Sequence, residues 1–98
     1  MLINIIKTYR DIVAICDSEL LGKTFEQGEF QLDIKESFFK GEKVSEEKAI
    51  KILKEMSKED ATFNIIGKNS INAALKAGII SENGIKKIQE IPFSLGLL

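Results

Sequence analysis

Apolar and polar positions alternate along this chain in patterns that predict several strands. Two short apolar runs, Leu2–Tyr9 and Ile12–Cys16, are separated by a charged pair and predict a β-hairpin. Further along, apolar residues occupy every second position between charged or amide residues, which predicts a half-buried strand. The three apolar side chains that this strand should turn toward the core are Phe30, Leu32 and Ile34.

Helical periodicity appears twice in the second half of the chain. The hydroxyl of Ser45 suits an N-cap, and apolar residues from Ala49 to Met56 recur at the spacing of one helical face. A second helix is predicted after a short polar turn and should end at Gly78, because glycine commonly terminates helices. Between the two helices, the apolar run Thr62–Ile66 predicts a strand.

The order of these elements, β-β-β-α-β-α-β, predicts an α+β fold. In the less regular segment Ile85–Leu98, the apolar residues Ile88, Ile91 and Phe93 suggest a last strand, and Pro92 would place it at an edge or a bulge. Two helices should pack on one face of a mixed sheet of about four to five strands. A chain of 98 residues has the usual size of a single domain with one core, so we expect residues 1–98 to form one domain.

The overall composition limits the compartment and the partners. The chain carries 14 basic and 15 acidic side chains, whereas domains with a strong general affinity for nucleic acid usually carry excess positive charge. No apolar run approaches the ~18 residues of a membrane span, so we expect no membrane partner. Cys16 is the single cysteine and cannot form a disulfide within the chain, which favours the reducing cytoplasm.

The chain contains no histidine, which removes several classes of chemistry. Zinc sites built on imidazole, Ser-His-Asp triads and Cys-His dyads all require that residue. General acid–base chemistry would have to come from carboxylates, lysines, Tyr9 or Cys16. No complete catalytic constellation can be assembled from these groups, so we predict no catalytic residues.

The segment Asp17–Gly28 is the densest group of candidate ligand-binding residues. Loops between rigid elements often bind ligands because their backbone is free to face them. Its Gly-Lys-Thr triplet invites comparison with a P-loop, but Asp17 occupies the place of the required first glycine and no helix follows. We therefore predict no cofactor, and the alternative is a purely structural connection. The candidate residues are Asp17, Glu19, Gly22, Lys23 and Thr24.

A second candidate region lies at the predicted junction between the fourth strand and the second helix. Backbone N–H groups at a helix start, together with a nearby lysine, can hold an anion, although most such junctions bind nothing specific. Asn64 interrupts an apolar strand, and its amide must either pin a neighbouring loop or contact a ligand. The candidate residues here are Asn64, Gly67, Lys68 and Ser70.

Four carboxylates lie close together in the first half of the sequence, at Asp17, Glu19, Glu26 and Glu29. Hard cations such as Mg²⁺ bind such oxygens. The spacing does not match a calcium-binding loop, because no D-x-[DN]-x-[DN]-G pattern is present. We therefore predict solvated charges and no metal site.

Several short motifs over residues 1 to 92 resemble those of one protein family. They are Cys16-Asp17, Glu19–Phe25, Gly28, Phe38-Phe39-x-Gly41-Glu42-x-Val44, Asn64–Gly67 and Ala77–Ile80. On these residues the chain resembles the archaeal domain-of-unknown-function family four-two-four. The resemblance implies a small cytoplasmic archaeal protein, brings no activity with it, and suggests a link to translation or RNA. Family members often carry Pro-His where this chain has Pro92-Phe93, so chemistry at that histidine does not apply here.

The leading functional hypothesis is a non-enzymatic binding module linked to translation or RNA metabolism. Its partner would be a protein or a ribonucleoprotein, contacted through Lys23, Lys68 and the lysines of the first predicted helix. One alternative is an interaction protein that assembles through its apolar C-terminus, as a homodimer or with another chain. A second alternative is a small metal-assisted enzyme that uses Asp17, Glu19 and Lys23. The interface residues of the assembly hypothesis are Ile91, Phe93, Leu95, Leu97 and Leu98.

Overall fold

The computed structural model describes residues 1–96, which form eight strands and three α-helices and confirm the α+β class. The predicted interface residues Leu97 and Leu98 lie outside the described residues. The strands are β1 (Leu2–Ile6), β2 (Ile12–Cys16), β3 (Thr24–Gln27), β4 (Phe30–Asp33), β5 (Glu42–Lys43), β6 (Thr62–Ile66), β7 (Lys86–Ile88) and β8 (Ile91–Leu95). The helices are α1 (Glu36–Phe39), α2 (Glu46–Lys58) and α3 (Lys68–Ala77).

Six of the strands form one mixed sheet in the order β5-β1-β2-β6-β8-β7. β1 and β2 form the predicted antiparallel hairpin, in a register that places Leu2 opposite Cys16. β2 and β6 run parallel at the centre, with Ile15 beside Ile65. Strands covered on both faces are usually apolar throughout, and β2 fits this rule because all five of its residues are buried.

The two faces of the sheet are covered by different layers. On one face lie α2 and α3, as predicted, and Leu53 of α2 packs in one cluster with Val13 and Ile65. On the other face lie the β3–β4 hairpin and α1, whose Leu32 and Phe39 pack in a second cluster with Ile66 and neighbouring strand residues. The central strand β2 therefore faces two cores, as its continuous apolar sequence requires.

The local signals that predicted the two long helices are confirmed in the structure. The Ser45 hydroxyl accepts a hydrogen bond from the backbone N–H of Lys48 at 3.2 Å, which caps α2. Leu53 and Met56 are buried on the core side of that helix. Gly78 ends α3 in the left-handed conformation, with φ of 74°.

The segment around the hairpin turn differs from the prediction. Thr24–Gln27, predicted from the sequence to be a loop, is β3 and pairs with β4 in a separate two-stranded sheet. Leu32 and Ile34 are buried as predicted, but the inward orientation predicted for Phe30 is wrong, because its side chain is 77% exposed. Phe30 pairs with Gln27 at the end of β4 next to the hairpin turn. At this position the side chain lies beyond the core that Leu32 covers, so it remains exposed.

The C-terminal segment forms two strands instead of the single edge strand that was predicted. β8 lies between β6 and β7, so the edge position predicted for Pro92 is wrong. The Pro92 carbonyl accepts a hydrogen bond from Gly67 N–H at 2.9 Å, and the register places these two residues opposite each other. Proline has no backbone N–H to donate to the Gly67 carbonyl in return. That carbonyl instead accepts a hydrogen bond from Ile71 N–H, so no acceptor is left unpaired.

A two-residue turn joins β7 to β8 and also contacts the β3–β4 hairpin. Gln89 and Glu90 have φ values of 46° and 69°, the two positive values that a type I′ turn requires. The Gln89 backbone N–H donates to Oε1 of Gln27 at 2.8 Å, and its side-chain amide donates to the Glu26 carbonyl. These bonds hold the tip of the hairpin against the sheet. Within residues 1–96, no helix is long and apolar enough to cross a membrane.

Candidate functional site

Asp17 follows β2 directly and caps α3 from the side. One carboxylate oxygen accepts from both the backbone N–H and the hydroxyl of Ser70, each at 2.8 Å. The other oxygen accepts from the Asn69 N–H at 3.1 Å. Because the residue at the N-cap position is Gly67, α3 has no capping side chain of its own. Asp17 therefore supplies the acceptor and the negative charge that the first turn of a helix favours.

The backbone around Gly67 is shaped by this contact. A Cβ at this position would lie 2.4 Å from Asp17 Cγ, and the φ of 112° lies in the region that favours glycine. The N–H groups of Asn69 and Ser70, which were predicted to hold an external anion, already bind the Asp17 carboxylate. Lys68 is exposed beside them. An external anion at this junction would have to displace Asp17.

The remaining candidates in the polar loop serve mainly to connect β2 to the hairpin. Gly22 follows a short 3₁₀ turn, has φ of 82°, and donates its N–H to the Ile34 carbonyl at 2.7 Å. The Ile34 N–H returns a bond to the Lys23 carbonyl at 2.9 Å. The side chains of Glu19, Lys23 and Thr24 are exposed. Among residues 1–96, no three acidic or cysteine side chains are grouped closely enough to hold a metal ion.

A groove lies on the face of the sheet opposite α2 and α3. It consists of two adjoining cavities of about 390 and 330 Å³, which share Gln31, Leu32 and Leu95. We call these two cavities the sheet groove. Strands β6 and β8 supply one side of it, and the β3–β4 hairpin with α1 supplies the other. Its lining also includes Asn64, Phe93, Phe38, Phe30, Lys86 and Lys87.

Asn64 lies in the sheet groove and is half-buried. Its side-chain amide forms no hydrogen bond to any other residue in the described part of the chain. Asn4 lies in the same cross-strand row, because both asparagines pair with Ala14, and it offers a contrast. Asn4 donates from Nδ2 to the Phe38 carbonyl at 2.8 Å and so attaches α1 to β1. The loop-pinning role considered for Asn64 is therefore filled by Asn4, and the Asn64 amide faces the groove.

The rim of the sheet groove carries exposed apolar and cationic side chains. Phe30 is 77% exposed and Leu95 is 49% exposed. Of the other predicted interface residues, Ile91 and Phe93 are half-buried against the second core cluster. The titratable residues that line the groove comprise three cations and one anion: Lys35, Lys86, Lys87 and Asp33.

Sequence reasoning identified only part of this surface. It selected Asn64, Phe93 and Leu95, but treated them as belonging to two separate sites. It missed Phe30, Gln31, Lys86 and the other residues that the hairpin and β7 contribute. The one available signal was the position of Phe30 directly after the Gly28-Glu29 turn, because the end residue of a hairpin strand often lies beyond the core and stays exposed.

Cys16, the remaining nucleophile in this region, is fully buried at the end of β2. Burial, reinforced by the charge of Asp17, raises the pKa of its thiol to about 11. The thiolate is the reactive form, so this side chain is inert near neutral pH. Its environment is that of a small core residue.

Residues 6–95 match the family described as "Protein of unknown function (DUF424)". The chain belongs to the DUF424 family. The family predicted from the short motifs is thus confirmed over most of the chain.

This DUF424 chain is also similar to a solved structure, "Crystal structure of an uncharacterized conserved protein from Methanopyrus kandleri". The two share 25% sequence identity with a TM-score of 0.83, over 99% of this chain and 93% of that chain. The likeness therefore extends over nearly the whole fold. A search of curated proteins finds no match.

Proposed function

We propose that this DUF424 protein is a non-enzymatic binding module whose ligand occupies the sheet groove. The observation that carries the proposal is the half-buried Asn64 amide, which faces the groove without a hydrogen-bond partner among residues 1–96. Binding sites typically combine apolar walls with a few polar groups that orient the ligand, and the half-buried Asn64 amide is such a group in this groove. A ligand in the groove would contact this amide and cover Leu95.

The chemistry of the nearby reactive groups supports a binding role over a catalytic one. Asp17 is committed to α3 through three hydrogen bonds, and the Cys16 thiol is buried and protonated. The metal-assisted alternative needs Asp17 together with Glu19 and Lys23, and the commitment of Asp17 weighs against it.

The setting of this binding module is part of the same proposal. We place it in the cytoplasm of an archaeon, with a protein or ribonucleoprotein partner that acts in translation or RNA metabolism. The archaeal source of the similar structure supports the organism, and the single reduced cysteine supports the compartment.

The test is an affinity pull-down from lysate of the source organism, with bound proteins and RNA both identified at low and moderate salt. Tagged wild-type protein is compared with Phe30→Ser and Leu95→Glu, two changes at exposed groove positions. Tyr9→Ser is the matched control, because Tyr9 is a fully exposed aromatic residue in the β1–β2 turn that lines neither groove cavity.

The proposal expects one partner that wild-type and Tyr9→Ser protein both retain and that both groove variants fail to retain. Circular dichroism of each variant should match wild type, because the changed side chains lie at the surface. A partner that both groove variants retain contradicts the groove as the binding site, and recovery of no partner at low salt contradicts the binding module.

A second candidate function is assembly of two copies through the same rim. The exposure of both Phe30 and Leu95 favours it, since large apolar side chains that adjoin on a surface often mark an interface. Light scattering over a range of concentrations should then give a dimer mass for wild type and a monomer mass for Leu95→Glu. A wild-type monomer at every concentration excludes this candidate.

A further inference from the structure

We infer that the sheet groove binds single-stranded nucleic acid, with a base stacked on Phe30 and phosphates held by Lys86 and Lys87. This inference rests on the proposed function of the groove and adds the chemical class of the ligand. It depends on three features of the groove: an exposed aromatic ring on a tethered hairpin, lysines without ion-pair partners among residues 1–96, and the Asn64 amide in the adjoining cavity.

The Phe30 ring is placed as a stacking platform. It lies on the same face of β4 as the buried Leu32, two residues away, and lines the groove cavity that also contains Phe93. The hairpin tip that carries it is tethered, because the neighbouring Gln27 accepts a 2.8 Å hydrogen bond from Gln89. A held, solvent-facing ring can stack a base with little loss of conformational freedom.

The lysines of β7 supply the complementary charge. Lys86 pairs in register with Phe93 and shares its face of the sheet, whereas Lys87 pairs with Pro92 on the alternate face. β7 is an edge strand, and both residues line the same cavity as Phe30. Neither forms an ion pair with another described residue. Of the 14 basic side chains of the chain, four have a carboxylate within 4 Å in the described structure: Lys7, Arg10, Lys48 and Lys76.

The charge of the groove therefore differs from that of the whole chain. Its lining carries three lysines and one aspartate, whereas the complete chain has a net charge of −1. The carboxylates in the adjacent turns, Glu29 and Glu90, line neither cavity. A phosphate chain would meet local positive charge at this rim, where charge complementarity favours binding.

The polar groups of the groove favour a single strand over other occupants. The amide of Asn64 both donates and accepts hydrogen bonds, which suits the base edges that single strands leave open. A peptide that added a strand to β7 would meet an edge of only three residues, two of them lysines, which is how sheets discourage such pairing. The groove therefore fits a nucleic-acid strand better than an extended peptide.

The test uses fluorescence anisotropy with a labelled single-stranded RNA of mixed sequence and about 12 nucleotides, at low salt. The same sequence as single-stranded DNA, and as RNA duplex, forms the other two arms. The proteins are wild type, Phe30→Ala, Phe30→Tyr, Lys86→Ala/Lys87→Ala, and the control Tyr9→Ala. Thermal melts confirm that each variant is folded.

Wild type should bind the single strands and not the duplex. Phe30→Ala should weaken binding by roughly 5- to 150-fold, the effect of removing one stacked base, while Phe30→Tyr and Tyr9→Ala should bind like wild type. The double lysine variant should bind more weakly, and its plot of log affinity against log salt should be shallower by about 0.7 for each phosphate that is no longer neutralised. A preference between the RNA and DNA arms identifies which single strand the groove takes.

Absence of binding to either single strand at low salt overturns the inference, and so does equal affinity of wild type and Phe30→Ala. The pull-down separates this failure from that of the proposed function. If Leu95→Glu fails to retain a protein partner while neither single strand binds, the groove is a binding site for protein and only the ligand class is wrong. If the groove variants retain every partner and no single strand binds, both proposals fail.

Discussion

The carboxylate of Asp17 links β2 to α3 through hydrogen bonds from Asn69 and Ser70, and its side chain is almost entirely buried. We expect Asp17→Ala to lower the free energy of unfolding by about 2–4 kcal/mol, because the change removes the cap and leaves buried donors without an acceptor. Urea unfolding of wild type and variant measures this difference.

Glu19→Ala is the matched control for that experiment, since Glu19 lies two residues away and is exposed. Its effect should stay within about 0.5 kcal/mol. Equal destabilisation by the two changes would mean that Asp17 does not act as the cap of α3.

The buried thiol of Cys16 gives a second expectation, about stability at high pH. Its pKa is raised from 9.0 to about 11, so between these values the unfolded chain releases a proton that the folded chain keeps. The folded state therefore loses stability as pH rises through this window, by up to about 3 kcal/mol, and loses none on this account below pH 9.

Comparison with Cys16→Ala isolates this contribution, because the variant differs from wild type only in lacking the thiol. The difference in unfolding free energy between wild type and variant should shrink from pH 9 to pH 11 in urea titrations. A constant difference over that range would show that the folded environment does not disfavour the thiolate.

At this scale the sequence pointed to the right residues more often than to the right roles. Asp17 stood out as a polar residue in a glycine-rich loop, yet its partner Ser70 is 53 positions away and no local pattern indicates that contact. Asn64 was recognised as an unusual amide in an apolar strand. Whether it or Asn4 would hold a neighbouring element depended on packing that only the fold determines.

Among the elements, the β7–β8 turn carries the clearest testable strain. Glu90 has φ of 69°, a conformation that favours glycine at the second position of a type I′ turn. We expect Glu90→Gly to raise the free energy of unfolding by about 0.5–1 kcal/mol, the removed strain outweighing the added flexibility of the unfolded chain. Urea unfolding provides the measurement.

The reverse change at Gly78 checks the same reasoning. Gly78 ends α3 with φ of 74° and has open space around it, so Gly78→Ala should destabilise by about 1 kcal/mol through conformation alone. If Glu90→Gly and Gly78→Ala both raise or both lower the free energy of unfolding, backbone conformation does not explain these effects.

Elements with complete local signals were predicted well, and the others were not. α2 has a capping serine, acidic residues in its first turn and an apolar stripe, so its sequence alone determines its type and position. β3 is short and largely polar, and it forms a strand because β4 pairs with it across a tight turn. Pro92 indicated an edge strand, because proline cannot donate a hydrogen bond within a sheet. β8 is nevertheless an inner strand, since its neighbour Gly67, distant in sequence, needs no donor from Pro92.

For the molecule as a whole, the class and the placement of both long helices on one face followed from the order of elements. The order of the strands within the sheet could not be predicted in this way, because several different strand pairings would bury the same apolar runs. The sheet groove was equally hidden, since its residues come from β4, β6, β7 and β8 and meet only when β8 is inserted beside β6. A net charge of −1 also gave no hint of the cations collected at one rim.

The position of β8 has a consequence for how this protein is made. Because β8 lies between β6 and β7, a nascent chain that ends before Ile91 exposes the open edge of β6 and holds β7 without its neighbour in the described sheet. The ribosome must therefore release residues as far as Leu95 before the sheet can close. Until then, the apolar β6 edge is open to pairing with a wrong strand, and β8 removes that risk when it pairs with β6.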